Sequence, residues 1–245
     1  ERAGTLAYRL PEGADLEAPQ ASLIVHRGPL SQLIEGLDSM LREPYGCFEQ
    51  TSSVNYPNIM ILRYLKAHEA LKPELKERAL GFLARGYQRL LGFEVDRRAG
   101  GFSLYGQPPA DPWLTAYGLM QLRDMAEVYP VDPQLIERTR GWLEHETRND
   151  GALDASPRGL EGGLALQGRL AMSAYLVLAC GPGAPGRTVE FLRSHLAEIE
   201  ADGYLCALAA YALAESDRPL ARQLAGRLGP LVRAAQPVRS TEALL

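Results

Sequence analysis

The sequence predicts an all-α protein of helical hairpins in an inner and an outer layer, the arrangement of an α/α-toroid, and three observations carry that prediction. Runs around residues 114–125, 170–180 and 204–214 are apolar on nearly every face, whereas runs at 73–92, 133–147, 188–199 and 218–228 carry charge on one side. A helix apolar all round is buried and one with a single apolar stripe lies outside, so inner and outer helices alternate along the chain. The inner runs also share a phrase: Thr115-Ala116-Tyr117, Ser173-Ala174-Tyr175 and Ala209-Ala210-Tyr211. A small residue before a tyrosine at the same place in successive hairpins marks one close packing contact used repeatedly. Glycine-rich connectors at 100–106, 150–163 and 202–203 stand just before these runs. A helical solenoid would repeat in the same way, and the pattern alone does not close the ring.

Taken in order, residues 1–28 hold Pro11, Gly13, Pro19 and Gly28 between short extended pieces at 5–10 and 21–26. They read as a linker or edge strands from a neighbouring β-domain. Residues 29–245 form the helical domain. Within it Pro57 either begins a new helix or kinks one already started at Glu49. The end, Ser240-Thr241-Glu242-Ala243-Leu244-Leu245, reads as a helix cap followed by the first turn of a helix cut short, so the expectation is a fragment lacking a last hairpin.

At 245 residues the chain is long enough to bury a large core. A net charge of −4, with no long Lys/Arg cluster, excludes a surface that tracks phosphates. No apolar stretch reaches the ~20 residues that span a bilayer. Three cysteines are too few for a disulfide scaffold. Cys180 and Cys206 lie in apolar runs and read as core packing, with a pairing between them as the lesser reading. His26, His68, His145 and His195 are scattered with no pair at ligand spacing, so neither a metal nor a cofactor is expected. The last three read as solvated, on polar helix faces or ends.

Reactive chemistry concentrates in Pro44-Tyr45-Gly46-Cys47-Phe48-Glu49-Gln50. Two residues separate a thiol from a carboxamide, and a bend at Pro44 and Gly46 would fold Gln50 back onto the Cys47 sulfur. Loss of ammonia would leave an acyl group on sulfur, an internal thioester open to amines, hydroxyls and water. A helix start stabilises a thiolate and so improves sulfur as a leaving group. Tyr45, Phe48 and Tyr56 are the candidates to keep such a bond dry. The competing reading is an inert cysteine packed at a helix start beside a solvent-facing glutamine. Glu49 reads as a first-turn carboxylate, and Ser52 and Ser53 as caps or packing.

This run, followed by Tyr56-Pro57-Asn58-Ile59 and then Leu62, Tyr64 and Leu65, closely resembles the thioester region of the alpha-2-macroglobulin and complement family. That family usually has glycine between the Cys and the Glu; Phe48 stands there, and with Thr51-Ser52-Ser53 after the glutamine this resembles the bacterial branch. Gly100-Gly101-Phe102-Ser103 with Trp113-Leu114-Thr115-Ala116-Tyr117 is similar to the family's next helical hairpin. The likeness runs from about Pro29 to the end. It implies a closed ring of helices, a thioester between Cys47 and Gln50, and a single-use covalent trap for proteases, not an enzyme. In the family, bait cleavage elsewhere in the polypeptide releases the cover. It also implies neighbouring domains, a role in bacterial defence, and a periplasmic or extracellular site, the parent held to the inner membrane by an upstream lipid anchor. Fast-reacting complement members carry a histidine in the loop that corresponds to residues 151–168; this loop has none, which implies direct transfer to lysine amines.

Other functions are compatible with parts of this sequence. A glycoside hydrolase or terpene cyclase on the same architecture would need paired acids in the central depression, and Asp111, Asp150, Asp154 and Glu161 in the connectors are the candidates. A cysteine hydrolase at Cys47 lacks a convincing histidine and orienting partner; His26, which precedes the first helix, is the candidate for a thiol–imidazole pair. A noncovalent interaction module remains open because the bulk of Phe48 must be accommodated in a small ring.

Overall fold

The computed structural model describes residues 36, 40–68, 73–154 and 168–234. The extended pieces expected before residue 28, His26, Glu161 and the helix expected at the C-terminal end lie outside the described residues. The described chain is all-α apart from one small hairpin. In order it runs α1 (Phe48–Ala67), α2 (Pro73–Leu91), β1 (Glu94–Asp96), β2 (Gly100–Phe102), α3 (Pro112–Ala126), α4 (Pro133–Glu146) and α5 (Arg169–Cys180). A 3-10 turn (Gly181–Gly183) follows, then α6 (Gly186–Ser194), α7 (Leu196–Ala201), α8 (Gly203–Ala212) and α9 (Arg218–Ala234).

The two expected layers are present. Inner helices α1, α3, α5 and α8 pack in series, and α2, α4, α6 and α9 pack on the outside of α1, α3, α5 and α8 respectively. This is the toroid of hairpins. Because each hairpin returns the chain, the inner helices run parallel and gather their N-termini, capped by Cys47, Asp111, Gly168 and Asp202, on one rim. Toward the other end they enclose a 210 Å³ axial cavity lined by Tyr56, Arg63, Asp124, Leu178, Ala212 and Glu215, among others. Pro57 lies inside α1 without ending it, so one helix runs from Phe48 through the proline and simply lacks that N–H.

The connectors explain the recurring phrase. Gly100 (φ +85°) and Gly151 (φ +88°) each lie against the backbone of a later outer helix: an added Cβ would sit 2.7 Å from the Arg138 carbonyl oxygen in one case and 2.1 Å from that of Arg187 in the other. Two residues on, the Phe102 N–H donates to Thr115 Oγ1 (2.8 Å) and the Leu153 N–H donates to Ser173 Oγ (2.9 Å), each hydroxyl buried in the first turns of an inner helix. In the first two hairpins the hydroxyl residue that opens the phrase is therefore the acceptor that fastens the connector to its helix, whereas Ala209 in the third has none to offer. Thr115→Val keeps shape and removes the acceptor, leaving the buried Phe102 N–H unpaired; we expect a loss of about 1–3 kcal/mol in urea unfolding.

The sheet is a two-stranded antiparallel hairpin with Glu94 opposite Phe102 and Asp96 opposite Gly100. Its second strand falls in the segment read from sequence as connector and its first just before it, since three-residue strands carry too little alternation to register. It positions Glu94, whose side chain is 1% exposed, to receive two hydrogen bonds from Arg138 on α4 (2.5 and 2.9 Å). A bidentate pair of this kind holds the outer layer in register with the hairpin.

Two expectations are corrected. The single outer run at 188–199 is two helices broken at His195, whose Nδ1 lies 2.8 Å from the Phe191 carbonyl oxygen. That ring is half-buried against the end of α6 and is not a solvated residue, whereas His68 and His145 are exposed. The run at 204–214 is not buried all round. Helix α8 packs against α5, α7 and α9 but leaves a stripe of Tyr204, Ala207, Tyr211 and Ala214 open, Tyr211 being 71% exposed. Cys180 and Cys206 are buried and unpaired. Burial pushes the Cys180 thiol up to about 12, which makes it inert.

Candidate functional site

The site begins with a backbone anchored before it reaches the cysteine. Asn58, buried on α1, accepts from the Arg42 N–H (3.3 Å) and donates to the Arg42 carbonyl (2.8 Å), pinning the incoming strand beside the helix it will enter. Leu41 and Pro44 are buried as well. Gly46 then turns with φ +78°, where only glycine sits without strain. Cys47 follows in an extended conformation as the residue capping α1, and the helix starts at Phe48.

Cys47-Phe48-Glu49-Gln50 has the form of a capping box with Cys in the place of Ser or Thr. The Cys47 sulfur faces the Gln50 backbone N–H, while Gln50 Oε1 accepts from the Cys47 backbone N–H at 3.1 Å. The reciprocal bonds fold the carboxamide back over the turn. A Cβ on Gly46 would lie 1.9 Å from Gln50 Oε1 and 2.7 Å from its Cδ. A local rule of helix termination thus brings thiol and carboxamide together at the rim, one half-buried and the other exposed.

Three neighbours hold this turn. Thr51, fully buried, donates to the Tyr45 carbonyl (3.1 Å). Arg89, on α2, donates from Nη2 to the Gly46 carbonyl (2.6 Å) and from Nε to Thr51 Oγ1 (3.3 Å). The Phe48 N–H donates to the Leu104 carbonyl (3.0 Å), tying the helix start to the connector after β2. Arg89 was not singled out in the sequence: an arginine 43 residues from its partner on a charged helix face carries no local signal.

The aromatic residues expected around the site take three different places. Phe48 is fully buried and its ring packs among Phe93, Phe102 and Tyr117 at centroid distances of 6.0, 5.5 and 6.4 Å. Gly118 leaves the space for it, since a Cβ there would stand 3.2 Å from Phe48 Cζ. The ring therefore points down into the core, away from the turn, and its bulk is no obstacle to a small ring between Cys47 and Gln50. Tyr45 is 61% exposed. Tyr56 hydrogen-bonds Asp124 in the axial cavity, and burial raises its hydroxyl pKa, with the Asp124 bond adding to the effect.

Glu49 lies half-buried in the first turn of α1, its carboxyl held above the usual range by desolvation and by the charge of Asp111. Ser53 donates to the Gln50 carbonyl (3.0 Å), while the Ser52 hydroxyl is buried. The connector acids are occupied structurally. Asp111 caps α3 through Trp113 N–H (2.9 Å) and Leu114 N–H (3.0 Å). Asp150 takes the Ala152 N–H and Arg169, and Asp154 pairs with Arg148. These are caps and ion pairs, and no two of them are presented to the axial cavity. Among the described residues no group of His, Cys, Asp and Glu is placed to hold a metal ion, and no helix is long and apolar enough to cross a membrane.

The described chain is thus a ring of helical hairpins with a Cys-x-x-Gln turn at its N-terminal rim. The profile of the A-macroglobulin TED domain matches residues 25–231, and the chain belongs to that family. Solved structures agree in fold. The native conformation of Escherichia coli alpha-2-macroglobulin superposes with a TM-score of 0.59 at 22% identity, over 84% of this chain and 13% of that one. Salmonella alpha-2-macroglobulin reacted with methylamine gives 0.57 at 22%, with the same coverage of 84% and 13%. The E. coli fragment from domain MG7 to the C-terminus gives 0.56 at 24%, over 87% and 32%. The chain thus spans a third or less of the length of these relatives.

Proposed function

We propose that Cys47 and Gln50 condense into an internal thioester and that the domain serves as the covalent arm of a bacterial alpha-2-macroglobulin-like protease inhibitor. The observation that carries this is the reciprocal capping box, which holds the carboxamide against the turn with its oxygen on the Cys47 N–H. Membership of the A-macroglobulin TED family and the likeness to a Salmonella relative whose structure was solved after reaction with methylamine support it. The bond is spent once, so this is a trap and not a catalyst. Target proteases are the covalent partners, after cleavage of a bait in another part of the polypeptide. With Phe48 turned into the core and Tyr45 exposed, the cover comes from neighbouring domains of the same polypeptide. The reading places the parent in the periplasm or outside the cell, with a lipid anchor upstream.

The test uses the full-length parent. Its intact mass is expected to be one ammonia lighter than its sequence, and methylamine should restore that mass, label Gln50 and free one thiol. Cys47→Ala should abolish labelling with the unfolding midpoint nearly unchanged, since the rim contributes little to the core. At equal concentration methylamine should outcompete glycerol, because residues 151–168 hold no histidine to relay the acyl group. A native parent that never captures methylamine at Gln50 overturns the proposal.

A further inference from the structure

We infer that Arg89 is a positioning residue for the chemistry at Gln50, acting through the Gly46–Cys47 peptide; the inference rests on the thioester reading. A trans peptide is one rigid plane whose carbonyl and N–H point in opposite directions. On one side of this plane the Arg89 guanidinium holds the Gly46 carbonyl at 2.6 Å; on the other the Cys47 N–H meets Gln50 Oε1 at 3.1 Å. Gly46, at φ +78°, has no side chain to restrain the plane. The guanidinium supplies that restraint and is itself steadied by its second bond, Nε to Thr51 Oγ1. The neighbouring Arg85 is differently engaged, in an ion pair with Glu43 at 2.8 Å.

The oxygen so addressed carries the charge in both steps. In formation, Cys47 Sγ adds to Gln50 Cδ and negative charge builds on Oε1. The carbon–nitrogen bond then breaks, and the amide nitrogen leaves as ammonia with the thiol proton. In capture, an amine nitrogen adds to Cδ and charge builds again on Oε1. The carbon–sulfur bond breaks, and the departing thiolate takes a proton from the amine nitrogen. A donor fixed on that oxygen lowers both barriers. A cation on the far side of the same peptide polarises its N–H and strengthens the donor.

A 390 Å³ cleft lined by Glu43, Pro44, Ala84, Arg85, Gln88 and Arg89 opens beside the guanidinium, with room for a small cation once the side chain is removed. The experiment compares full-length wild type, Arg89→Ala and Arg89→Lys for ammonia loss by intact mass and for the second-order rate of methylamine capture. The expected result is roughly a tenfold fall in rate for Arg89→Ala, a smaller fall for Arg89→Lys, and recovery of the alanine variant, but no change in wild type, on adding guanidinium below denaturing concentration. If Arg89→Ala folds poorly, Arg89→Lys, with its charge kept but one fork donor lost, is the variant compared. Rates equal to wild type, or a fall that guanidinium does not reverse and that follows the unfolding midpoint, overturn the inference. Wild type that captures no methylamine sinks the thioester reading instead, and this inference with it.

Discussion

Gly46→Ala is expected to abolish methylamine capture at Gln50 while leaving the helical ring folded. The two effects separate because they have different sources. Holding alanine in the left-handed region costs about 1–2 kcal/mol at this one residue, a fraction of the ~5–15 kcal/mol that stabilises a typical domain. The local consequence is far larger. The new methyl carbon would occupy a point 1.9 Å from Gln50 Oε1 and 2.7 Å from Cδ, well inside contact distance. The backbone on the other side is held by Arg89 and Thr51, so the glutamine side chain is what gives way. Its oxygen then leaves the Cys47 N–H, and the carbon to be attacked leaves the sulfur. Intact mass should show the ammonia retained, and no label should appear. Gly141→Ala is the control: nothing lies within 4 Å of the added carbon, and capture should match wild type. Wild-type labelling of Gly46→Ala would mean that the carboxamide does not need the position over the turn.

Much of this was legible in the chain because it depends on local rules. Inner and outer helices separate by whether one stripe or the whole circumference is apolar, and that contrast placed α2, α3, α4 and α5 within a few residues of where they lie. The Cys-x-x-Gln spacing was equally plain, since a reciprocal cap needs only the four residues that make it. What escaped were contacts between distant parts. The direction of the Phe48 ring is decided by the space that Gly118 leaves on α3, 70 positions later, and no window around Phe48 contains that information. Arg89 reaches the turn from the outer helix of the same hairpin, where its charge looks like ordinary solvation of a polar face. The break at His195 follows from one imidazole turning back to the Phe191 carbonyl, a choice the apolar period of residues 188–199 does not record. Tyr211 repeats the phrase of Tyr117 and Tyr175 and lines the axial cavity, yet it stays 71% exposed, because exposure depends on which neighbours a helix has and not on its own composition.

Phe48→Ala is expected to be the most destabilising single change at the site, costing about 3–5 kcal/mol in denaturant unfolding. The position looks expendable, since the resemblance implies that glycine usually stands there in the family. In this chain the ring is fully buried, and its pairs with Phe93, Phe102 and Tyr117 add to the loss from area alone. The wall on the opposite side is Gly118, whose missing side chain cannot move in to fill the hole. Phe48→Leu retains most of the volume and should cost markedly less. The effect on chemistry is distinct from that of Gly46→Ala. The Phe48 N–H still reaches the Leu104 carbonyl and the capping box needs only backbone and the two reacting side chains, so molecules that remain folded should still lose ammonia. Capture per folded molecule is then preserved while the folded population shrinks. A loss under about 1 kcal/mol would show that the core closes over the hole after all. Absent ammonia loss in the folded fraction would show instead that the aromatic floor is part of the reacting geometry.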